Sequence, residues 1–504
     1  MKTLSPQLIK EKGIGGTEYH ELGDLPERVL QFGEGNFLRA FVDWQIHQLN
    51  KQGLFNGKVV IYQPAPFGHL TDLLNDQSNL YTVVLRGMQN GDKVDKSEIV
   101  SSVSRSLAYG EWKKVLELAS SQDLEFIFSN TTEAGITYVK EDRPGENDIP
   151  ESFPAKITTF LLERFDKLGA DSDGLTIITC ELIEDNGTKL KEYVLKKAED
   201  WELSAEFIAW VHEKNNFCST LVDRIVTGYP RDSIEEYREQ LGYIDNGLTV
   251  GEPYHMFAID GDQSVQEKLP FVQGGLNVKW GDITPHREIK VRLLNGPHTM
   301  MFSVGHLYGV DTVQEVMETV STRKFIERAF AEIKPTVHSE EHEKEAFVNS
   351  VIERFLNPYN KHYLLDIGLN AVYKFKSRLL PSIQRYTSSE GETPQAIAFS
   401  LASLFLFYKP VRQEGDHLVG IRDGKEYQMK ENEEVLQLMT EVWGNYESGS
   451  SISDTTSTFL AAESVWGEDL NKLSGLHVTV TSYMTSILEN GMVKALDKFV
   501  SELK

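Results

Sequence analysis

Short apolar runs alternate with amphipathic stretches through the first half of the chain. Residues 28–32 are predicted to form a buried strand, residues 33–36 a turn with two glycines, residues 37–49 a helix and residues 58–62 the next strand. A strand, a glycine turn, a helix and a strand in this order predict a βαβ unit, with a right-handed crossover and parallel strands.

The same pattern continues and indicates the fold class of the first half. Buried strands are predicted at residues 82–85, 126–129 and 175–180, with helices at residues 109–119 and 154–168 between them. Strands that alternate with helices are typical of an α/β domain.

From about residue 288 the apolar positions recur with helical spacing. We therefore expect an α/β domain at residues 1–283, including a connecting region at residues 228–283, and a mostly α-helical domain at residues 284–504. Residues 418–429 are the exception and are predicted to form a β-hairpin. The long predicted helices are residues 313–333, 343–356, 393–407 and 433–446.

The composition of the chain excludes some classes of binding partner and indicates the cellular compartment. Lys and Arg number 51 against 76 Asp and Glu, a net charge of −25, which argues against nucleic acid or an anionic membrane surface as a partner. Residues 396–408, the longest apolar run, are too few to span a bilayer, which needs roughly 20. Two cysteines, Cys180 and Cys218, cannot form a disulfide framework, and the first residues lack the apolar core of a signal peptide. We expect a cytoplasmic protein.

The glycine turn is a candidate nucleotide site. It follows an apolar strand and precedes a helix, so its backbone N–H groups and the positive end of the helix would point at a pyrophosphate. A plain tight turn is the alternative, because Leu38 stands where the usual dinucleotide fingerprint has Gly or Ala. The candidate cofactor-binding residues in this segment are Phe32, Gly33, Glu34, Gly35, Asn36 and Phe37.

The end of the second strand bears on which dinucleotide binds. No acid stands there for the ribose, and residues 63–68 contain no Arg or Lys for a 2′-phosphate. A hydrogen bond from Gln63 to a ribose hydroxyl would favour NAD over NADP. Thr131 is a further cofactor candidate, although a structural capping loop explains residues 129–135 equally well.

Residues 290–298 carry an amine, an amide and an imidazole without a carboxylate or a thiol. The pKa of Lys290 would fall on desolvation, and Asn295 and His298 could hold one oxygen by hydrogen bonds, which suits proton transfer to an alcohol or a carbonyl. A continuous helix would place the three within roughly 140° of arc. Pro297 instead suggests a helix break near Asn295. A solvated Lys, a capping Asn and a core His are the alternative.

Residues 338–342 match the H-x-x-E-H pattern of inverted zinc peptidases. The charges that follow are typical of a solvated helix face, so we expect no metal there.

Together these segments resemble the mannitol dehydrogenase family of polyol-specific long-chain dehydrogenases, and more closely its hexuronate branch. The family signature K-x4-N-x2-H is met at Lys290, Asn295 and His298. The segments that match the family are residues 31–41, 129–135, 186–187, 221–225, 290–298, 354–358 and 465–470, and those that match the branch are residues 42–46, 180–187 and 252–255.

The resemblance implies an NAD-dependent dehydrogenase that interconverts an aldonate and a ketouronate without a catalytic metal. It implies a Rossmann-like N-terminal domain, with a doubly wound and mainly parallel sheet, and a mostly helical C-terminal domain. Lys290 would be the general acid and base, with Asn295 and His298 holding the oxygen.

Lys374 aligns with a substrate-binding Lys of the polyol enzymes and is the first candidate for binding the substrate carboxylate. His362 is the second candidate for the substrate carboxylate, and Asp223, in a matching segment, is a further candidate for substrate binding.

Two departures leave parts of the site open. Leu182 stands where the polyol enzymes have an Asn that helps hold the reacting oxygen, and the Arg that precedes their substrate-binding Lys has no match here. The alternatives are a sister enzyme for fructuronate, an enzyme for a neutral polyol such as mannitol, and a non-catalytic NAD-binding sensor of sugar acids.

Overall fold

The structure is a computed structural model that describes residues 1–12, 17–131, 135–145 and 148–502. The chain forms two compact units, an N-terminal unit at Met1–Ile283 and a C-terminal unit at Thr284–Lys504. Within the described ranges, no helix is both long and apolar enough to cross a membrane.

The strands of the N-terminal unit form a parallel sheet, a mixed sheet and a small sheet. They are β1 (Glu18–Tyr19), β2 (Glu27–Phe32), β3 (Lys58–Tyr62), β4 (Tyr81–Gln89), β5 (Asp92–Val100), β6 (Val103–Leu107), β7 (Phe126–Ser129), β8 (Thr176–Thr179), β9 (Asn216–Cys218), β10 (Thr220–Asp223), β11 (Val226–Gly228), β12 (Thr249–Gly251), β13 (Met256–Ile259) and β14 (Val278–Trp280).

The parallel sheet contains the predicted βαβ unit. Its order is β6-β3-β2-β7-β8-β9, and every neighbouring pair is parallel. Phe126 and Phe128 belong to one apolar core and Ile127 to another, so both faces of the sheet are covered. Burial on both faces explains the continuous apolar runs of these strands. The predicted Rossmann-like fold is confirmed.

Residues 82–85 lie in the mixed sheet, whose order is β1-β5-β4-β12-β11. The expected connecting region supplies β12 to that sheet and β13 and β14 to the small sheet, β10-β13-β14. These three strands have only three or four residues each, too few for a periodic pattern to show.

The helices of the N-terminal unit begin and end at recognisable residues. Helix α6, for example, starts after Ser152, whose hydroxyl accepts a hydrogen bond from the Ala155 N–H, and ends at Gly169 with φ of 82°. The helices are α1 (Pro6–Lys12), α2 (Asn36–Leu38), α3 (Trp44–Lys51), α4 (Leu70–Asp76), α5 (Trp112–Glu117), α6 (Phe153–Leu168), α7 (Asn186–Asp200), α8 (Ala205–Lys214), α9 (Ile234–Leu241) and α10 (Gln263–Lys268), with a π-turn at Arg39–Asp43 and 3-10 turns at Tyr109–Glu111, Leu118–Ser120 and Arg231–Ser233.

The C-terminal unit is mostly helical, as predicted. Its helices are α11 (Thr284–Ile289), α12 (Gly296–Tyr308), α13 (Val313–Glu318), α14 (Val320–Ile333), α15 (Glu341–Phe355), α16 (Leu364–Ile367), α17 (Ala371–Arg378), α18 (Leu380–Glu390), α19 (Gln395–Phe407), α20 (Glu433–Glu447), α21 (Ile452–Leu460), α22 (Glu463–Trp466), α23 (Leu476–Asn490) and α24 (Met492–Ser501), with a π-turn at Lys290–Asn295, 3-10 turns at Lys334–Thr336 and Leu470–Lys472, and strands β15 (Arg412–Glu414), β16 (His417–Arg422) and β17 (Lys425–Met429).

Helix α19 is the buried centre of this unit. It packs against α12, α14 and α23, and its first N–H groups, at Ala396 and Ile397, donate to the buried carboxylate of Glu332. The helix that carries residues 296–308 is thus fixed against the core. One predicted long helix is two in the structure, because Thr319 adopts an extended conformation between α13 and α14.

The predicted hairpin is confirmed as the antiparallel pair of β16 and β17. Asp423 and Gly424 both have positive φ, 50° and 77°, as a type I′ turn requires.

Candidate active site

The glycine turn lies at the carboxyl end of β2, between its neighbours β3 and β7. The Gly33 N–H donates to the Tyr62 carbonyl (3.0 Å), and the Asn130 N–H donates to the Phe32 carbonyl (3.1 Å). Gly33 has φ of 126°, and a Cβ there would lie 3.1 Å from the Asn130 carbonyl oxygen. The close crossing of the two loops therefore requires glycine at this position.

Gly35, in contrast, has an extended backbone with φ of −62° that any residue can adopt. A Cβ at Gly35 would meet no atom within 4 Å, and the residue is exposed. Asn36, Phe37 and Leu38 precede the first helical hydrogen bond, which the Arg39 N–H makes to the Gly35 carbonyl. An open helix N-terminus with room above it fits a dinucleotide phosphate.

A buried polar network holds the backbone of this turn. Gln31 Nε2 donates to the Gly33 carbonyl (3.0 Å), and Arg39 Nε donates to the Glu34 carbonyl (2.9 Å). Arg39 also donates to Asn36 Oδ1 (2.8 Å) and to the Gly247 carbonyl. Arg39 is only 1% exposed, so its guanidinium lies in the interior and holds the turn from its buried side.

Asp43 completes the network one helical turn after Arg39. Its Oδ2 accepts hydrogen bonds from Tyr81 Oη (3.0 Å) and Gln31 Nε2 (3.3 Å). Burial raises the pKa of Asp43 to about 7, against the opposing effect of these hydrogen bonds and of Arg39.

The other candidate cofactor residues are placed differently. Phe32 is fully buried against Tyr62, Trp112 and Phe153, so only its backbone lies at the turn. The Glu34 side chain is partly buried, which raises its pKa, and the Phe37 ring stacks on Phe41 at 4.9 Å.

Gln63 is engaged within its own loop. Its Nε2 donates to the Ala65 and Phe67 carbonyls (2.8 and 3.3 Å), and its Oε1 accepts from Thr71 Oγ1 (3.3 Å). The amide thus stabilises the segment after β3.

Thr131 is held by Glu181, a residue that we did not predict. The Thr131 N–H and hydroxyl both donate to Glu181 Oε1 (3.0 and 2.9 Å), and the Ser129 hydroxyl donates to Oε2 (3.1 Å). Glu181 is buried directly after β8, and burial raises its pKa. It ties the loop after β7 to the end of β8. Residues 132–134 of that loop lie outside the described residues.

Residues 182 and 223 belong to the same unit. Leu182 is 66% exposed, and its apolar side chain has no group that could hold an oxygen. Asp223 is buried at the end of β10, opposite Met256 in the antiparallel ladder.

In the C-terminal unit the predicted catalytic segment forms one continuous helix with a π-turn. The Gly296 N–H bonds to the Val291 carbonyl five residues earlier, and Asn295 and Gly296 have helical dihedral angles. The helix break near Asn295 that Pro297 suggested is therefore wrong, and the alternative of a continuous helix is confirmed. Pro297 falls in the first turn after the π-turn, where a missing N–H is tolerated. Because a π-turn bonds residues five apart, Asn295 lies one turn above Lys290.

The backbone carbonyl of Asn295 accepts hydrogen bonds, whereas its side chain is left open. Its carbonyl accepts from Thr299 Oγ1 (2.9 Å) and from Arg378 Nη1 (3.5 Å). Within the described part of the chain, the Asn295 amide makes no hydrogen bond, and neither do the ring nitrogens of His298. Both groups can therefore bind a ligand oxygen.

His298 packs against Phe355 and His362, with ring centroids 4.5 and 5.0 Å apart. Loss of water, together with the positive field of His362, Arg354, Arg378 and Lys374, lowers its pKa well below the usual value. His298 is a neutral imidazole at neutral pH.

The two residues predicted to bind the substrate carboxylate lie beside it. Burial lowers the pKa of His362, and burial and Arg378 lower that of Lys374, whose Nζ donates to the Ile367 carbonyl (2.9 Å). The structure thus brings Asn295, His298, His362 and Lys374 together and adds Arg378, which we did not predict. Lys290, the first residue of the π-turn, is partly exposed.

The zinc-peptidase pattern does not converge in the structure. His338 and His342 are exposed, and Glu341 pairs with Lys334 (3.0 Å) and Lys344 (2.9 Å). Across residues 1–12, 17–131, 135–145 and 148–502, no group of three or more His, Cys, Asp or Glu is arranged to hold a metal ion.

Both units match known domains. Residues 27–272 match the mannitol dehydrogenase Rossmann domain, and residues 282–488 match the mannitol dehydrogenase C-terminal domain. The chain belongs to the mannitol dehydrogenase family. This confirms the resemblance found in the sequence.

Curated members of the mannitol dehydrogenase family resemble the chain over nearly its full length. An altronate oxidoreductase of Halalkalibacterium halodurans is 44% identical over 507 residues, which cover 100% of this chain and 98% of that protein. An altronate oxidoreductase of Bacillus subtilis is 41% identical over 485 residues, covering 95% and 97%.

Two solved dehydrogenase structures share the fold at lower identity. A D-sorbitol dehydrogenase in substrate-free form has a TM-score of 0.80 at 19% identity, over 98% of this chain and 100% of that one. A Pseudomonas fluorescens mannitol 2-dehydrogenase, in a ternary complex with NAD and D-mannitol, has a TM-score of 0.68 at 18% identity, over 100% of both.

Proposed function

We propose that the chain is an NAD-dependent altronate oxidoreductase, which interconverts D-altronate and D-tagaturonate in hexuronate breakdown. The observation that carries the proposal is the 44% identity to an altronate oxidoreductase over the whole chain. The chemistry is supported by the π-turn that carries Lys290 and Asn295 and leads directly to His298.

The N-terminal unit is the NAD-binding domain in this proposal. The open helix N-terminus after Gly35, held from below by Arg39, would bind the pyrophosphate, and the loop tied down by Glu181 would border the same edge of the sheet. Bound NADH supplies the hydride for the reduction, and NAD accepts it in the oxidation.

The C-terminal unit supplies the acid and base. When tagaturonate is reduced, Lys290 as an ammonium donates a proton to the alkoxide oxygen that forms, and when altronate is oxidised, neutral Lys290 removes the hydroxyl proton. No metal is needed in this scheme, because the ammonium and two hydrogen bonds balance the charge on the oxygen.

Asn295 and His298 hold that oxygen. Neutral His298 has one N–H to donate, and the Asn295 amide, without a partner among the described residues, can donate another. Preorganised donors of this kind contribute about 2.7–4 kcal/mol each to the stability of a developing oxyanion in known enzymes.

A substrate panel tests the proposal. We expect kcat/KM for NADH-dependent reduction to be highest with D-tagaturonate, lower with D-fructuronate and lowest with D-fructose. Fastest turnover of fructuronate or fructose would identify a sister enzyme of the family instead. NADH binding without turnover of any ketouronate would indicate a sensor.

A further inference from the structure

We infer that Arg378 and Lys374 bind the carboxylate of the substrate, and that Arg378 makes the enzyme select a sugar acid over a neutral polyol. The inference rests on the proposed function and adds Arg378 to the substrate-binding residues.

The two cations lie one turn apart on α17, and both adjoin the catalytic segment. Arg378 Nη1 donates to Thr299 Oγ1 (3.1 Å) and to the Asn295 carbonyl (3.5 Å). Lys374 Nζ donates to the Ile367 carbonyl (2.9 Å). Both charges act on the His298 ring. A carboxylate held between them would lie next to the residues that hold the reacting oxygen.

The Arg378 guanidinium has N–H donors that bind no other group among the described residues. Its hydrogen bonds use only Nη1, and Nε and Nη2 make no hydrogen bond or ion pair within the residues that the structure describes. Burial alone lowers its pKa, with no contribution from a carboxylate. The two free nitrogens, Nε and Nη2, form one edge of the planar guanidinium, and such an edge is suited to bidentate binding of a carboxylate.

The positive charges of Arg378 and Lys374 are not fully offset by nearby acids. Like charges four residues apart on a helix repel, and each of these cations is partly removed from water. Glu431 partly offsets the charge of Lys374, through a carboxylate whose Oε2 accepts from the Val372 N–H (2.9 Å) and the Tyr408 hydroxyl (3.0 Å), whereas no carboxylate acts on Arg378. An anionic ligand would remove the repulsion, whereas the hydroxymethyl group of a polyol would not.

A purely structural role is the competing explanation, because Arg378 also touches the backbone of Asn295. The two roles predict different kinetics. Loss of a carboxylate ligand raises KM for the acid alone, whereas a displaced Asn295 lowers kcat for acid and polyol alike.

The experiment compares two substrates in Arg378→Gln. NAD-dependent oxidation is measured with D-altronate and with D-altritol, in which a hydroxymethyl group replaces the carboxylate. We expect KM for altronate to rise roughly 10- to 100-fold with kcat within about 3-fold, and kcat/KM for altritol to stay unchanged. Arg378→Lys keeps the positive charge but loses the paired N–H donors of the guanidinium. Its KM for altronate should therefore lie between the KM of the wild type and that of Arg378→Gln.

Lys376→Gln is the matched control, because this cation lies on the same helix and donates to the Val465 carbonyl (2.9 Å). It should leave KM for altronate unchanged. An unchanged midpoint of urea unfolding, followed by circular dichroism of the mostly helical C-terminal unit, shows that each variant is folded, and if Arg378→Gln does not fold, Arg378→Lys carries the comparison.

Equal losses with altronate and altritol, or an unchanged KM for altronate, would overturn the assignment of Arg378. A wild-type enzyme that oxidises altritol but not altronate would refute the proposed function itself.

Discussion

Replacing Arg39 by Met should weaken NADH binding and destabilise the N-terminal unit together. Arg39 is buried and holds three acceptors: the Glu34 carbonyl, the Asn36 side chain and the Gly247 carbonyl. Met fills a similar volume without any donor. The change therefore removes the support of the glycine turn and leaves the turn's sequence intact.

The expected loss of stability in Arg39→Met depends on whether water can replace the lost donor at each acceptor. Glu34 and Asn36 are partly exposed, so water can replace the lost donor there, whereas Gly247 is buried. A buried carbonyl left without a donor costs about 1–3 kcal/mol. Asp43 and Asp245 also lose a neighbouring cation. We expect a loss of about 3 kcal/mol in the free energy of unfolding and a roughly tenfold rise in Kd for NADH, about 1.4 kcal/mol.

Fluorescence titration with NADH and urea unfolding measure the two effects. The matched control is Arg86→Met, because Arg86 donates to Asp95, Tyr237 and Gln240 and lies over the Tyr237 ring in the same unit, away from the glycine turn. It should not change Kd. The reasoning fails if Arg39→Met binds NADH like the wild type, or if Arg86→Met weakens binding equally.

Three further predictions concern single groups. Lys290→Ala should lower kcat for tagaturonate reduction by roughly 10²–10⁴-fold with little change in KM, and near-normal kcat would remove Lys290 from proton transfer. The pKa of Asp43 is raised to about 7 in the folded state, so its contribution to the free energy of unfolding should fall as pH rises from about 4 to 7. In urea unfolding, Asp43→Asn should therefore gain stability relative to wild type at pH 8 but not at pH 5. Because the pKa of His298 is far below 6.5, kcat profiles of wild type and His298→Gln should have the same shape between pH 6 and 8, and an inflection present only in the wild type would contradict a neutral His298.

The sequence predicts the secondary structure best where a strand is buried on both faces. Residues 28–32, 58–62 and 126–129 are buried on both faces, so their apolar runs are unambiguous. The short strands β12 to β14 have no such signal, since their pairing depends on strands far away in the chain.

The candidate catalytic residues can be proposed from the sequence, whereas the contacts around them cannot. The spacing of Lys290, Asn295 and His298 identifies the trio, but a single sequence does not distinguish a π-turn from a helix broken at Pro297. The sequence did carry some indication of these supporting residues. Arg39 and Asp43 are charged residues four positions apart in an otherwise apolar helix. Lys374 and Arg378 carry like charges four positions apart. The contacts that give them a role, such as Arg39 to Gly247, cross long stretches of chain.

In the proposed function, the enzyme delivers a hydride from NADH to one face of the tagaturonate ketone. The most direct test is to incubate the protein with D-tagaturonate and NADH deuterated at the transferable position and to identify the product by NMR. We expect D-altronate with deuterium at the carbon that carried the ketone. A product epimeric at that carbon, or one without deuterium, would contradict it.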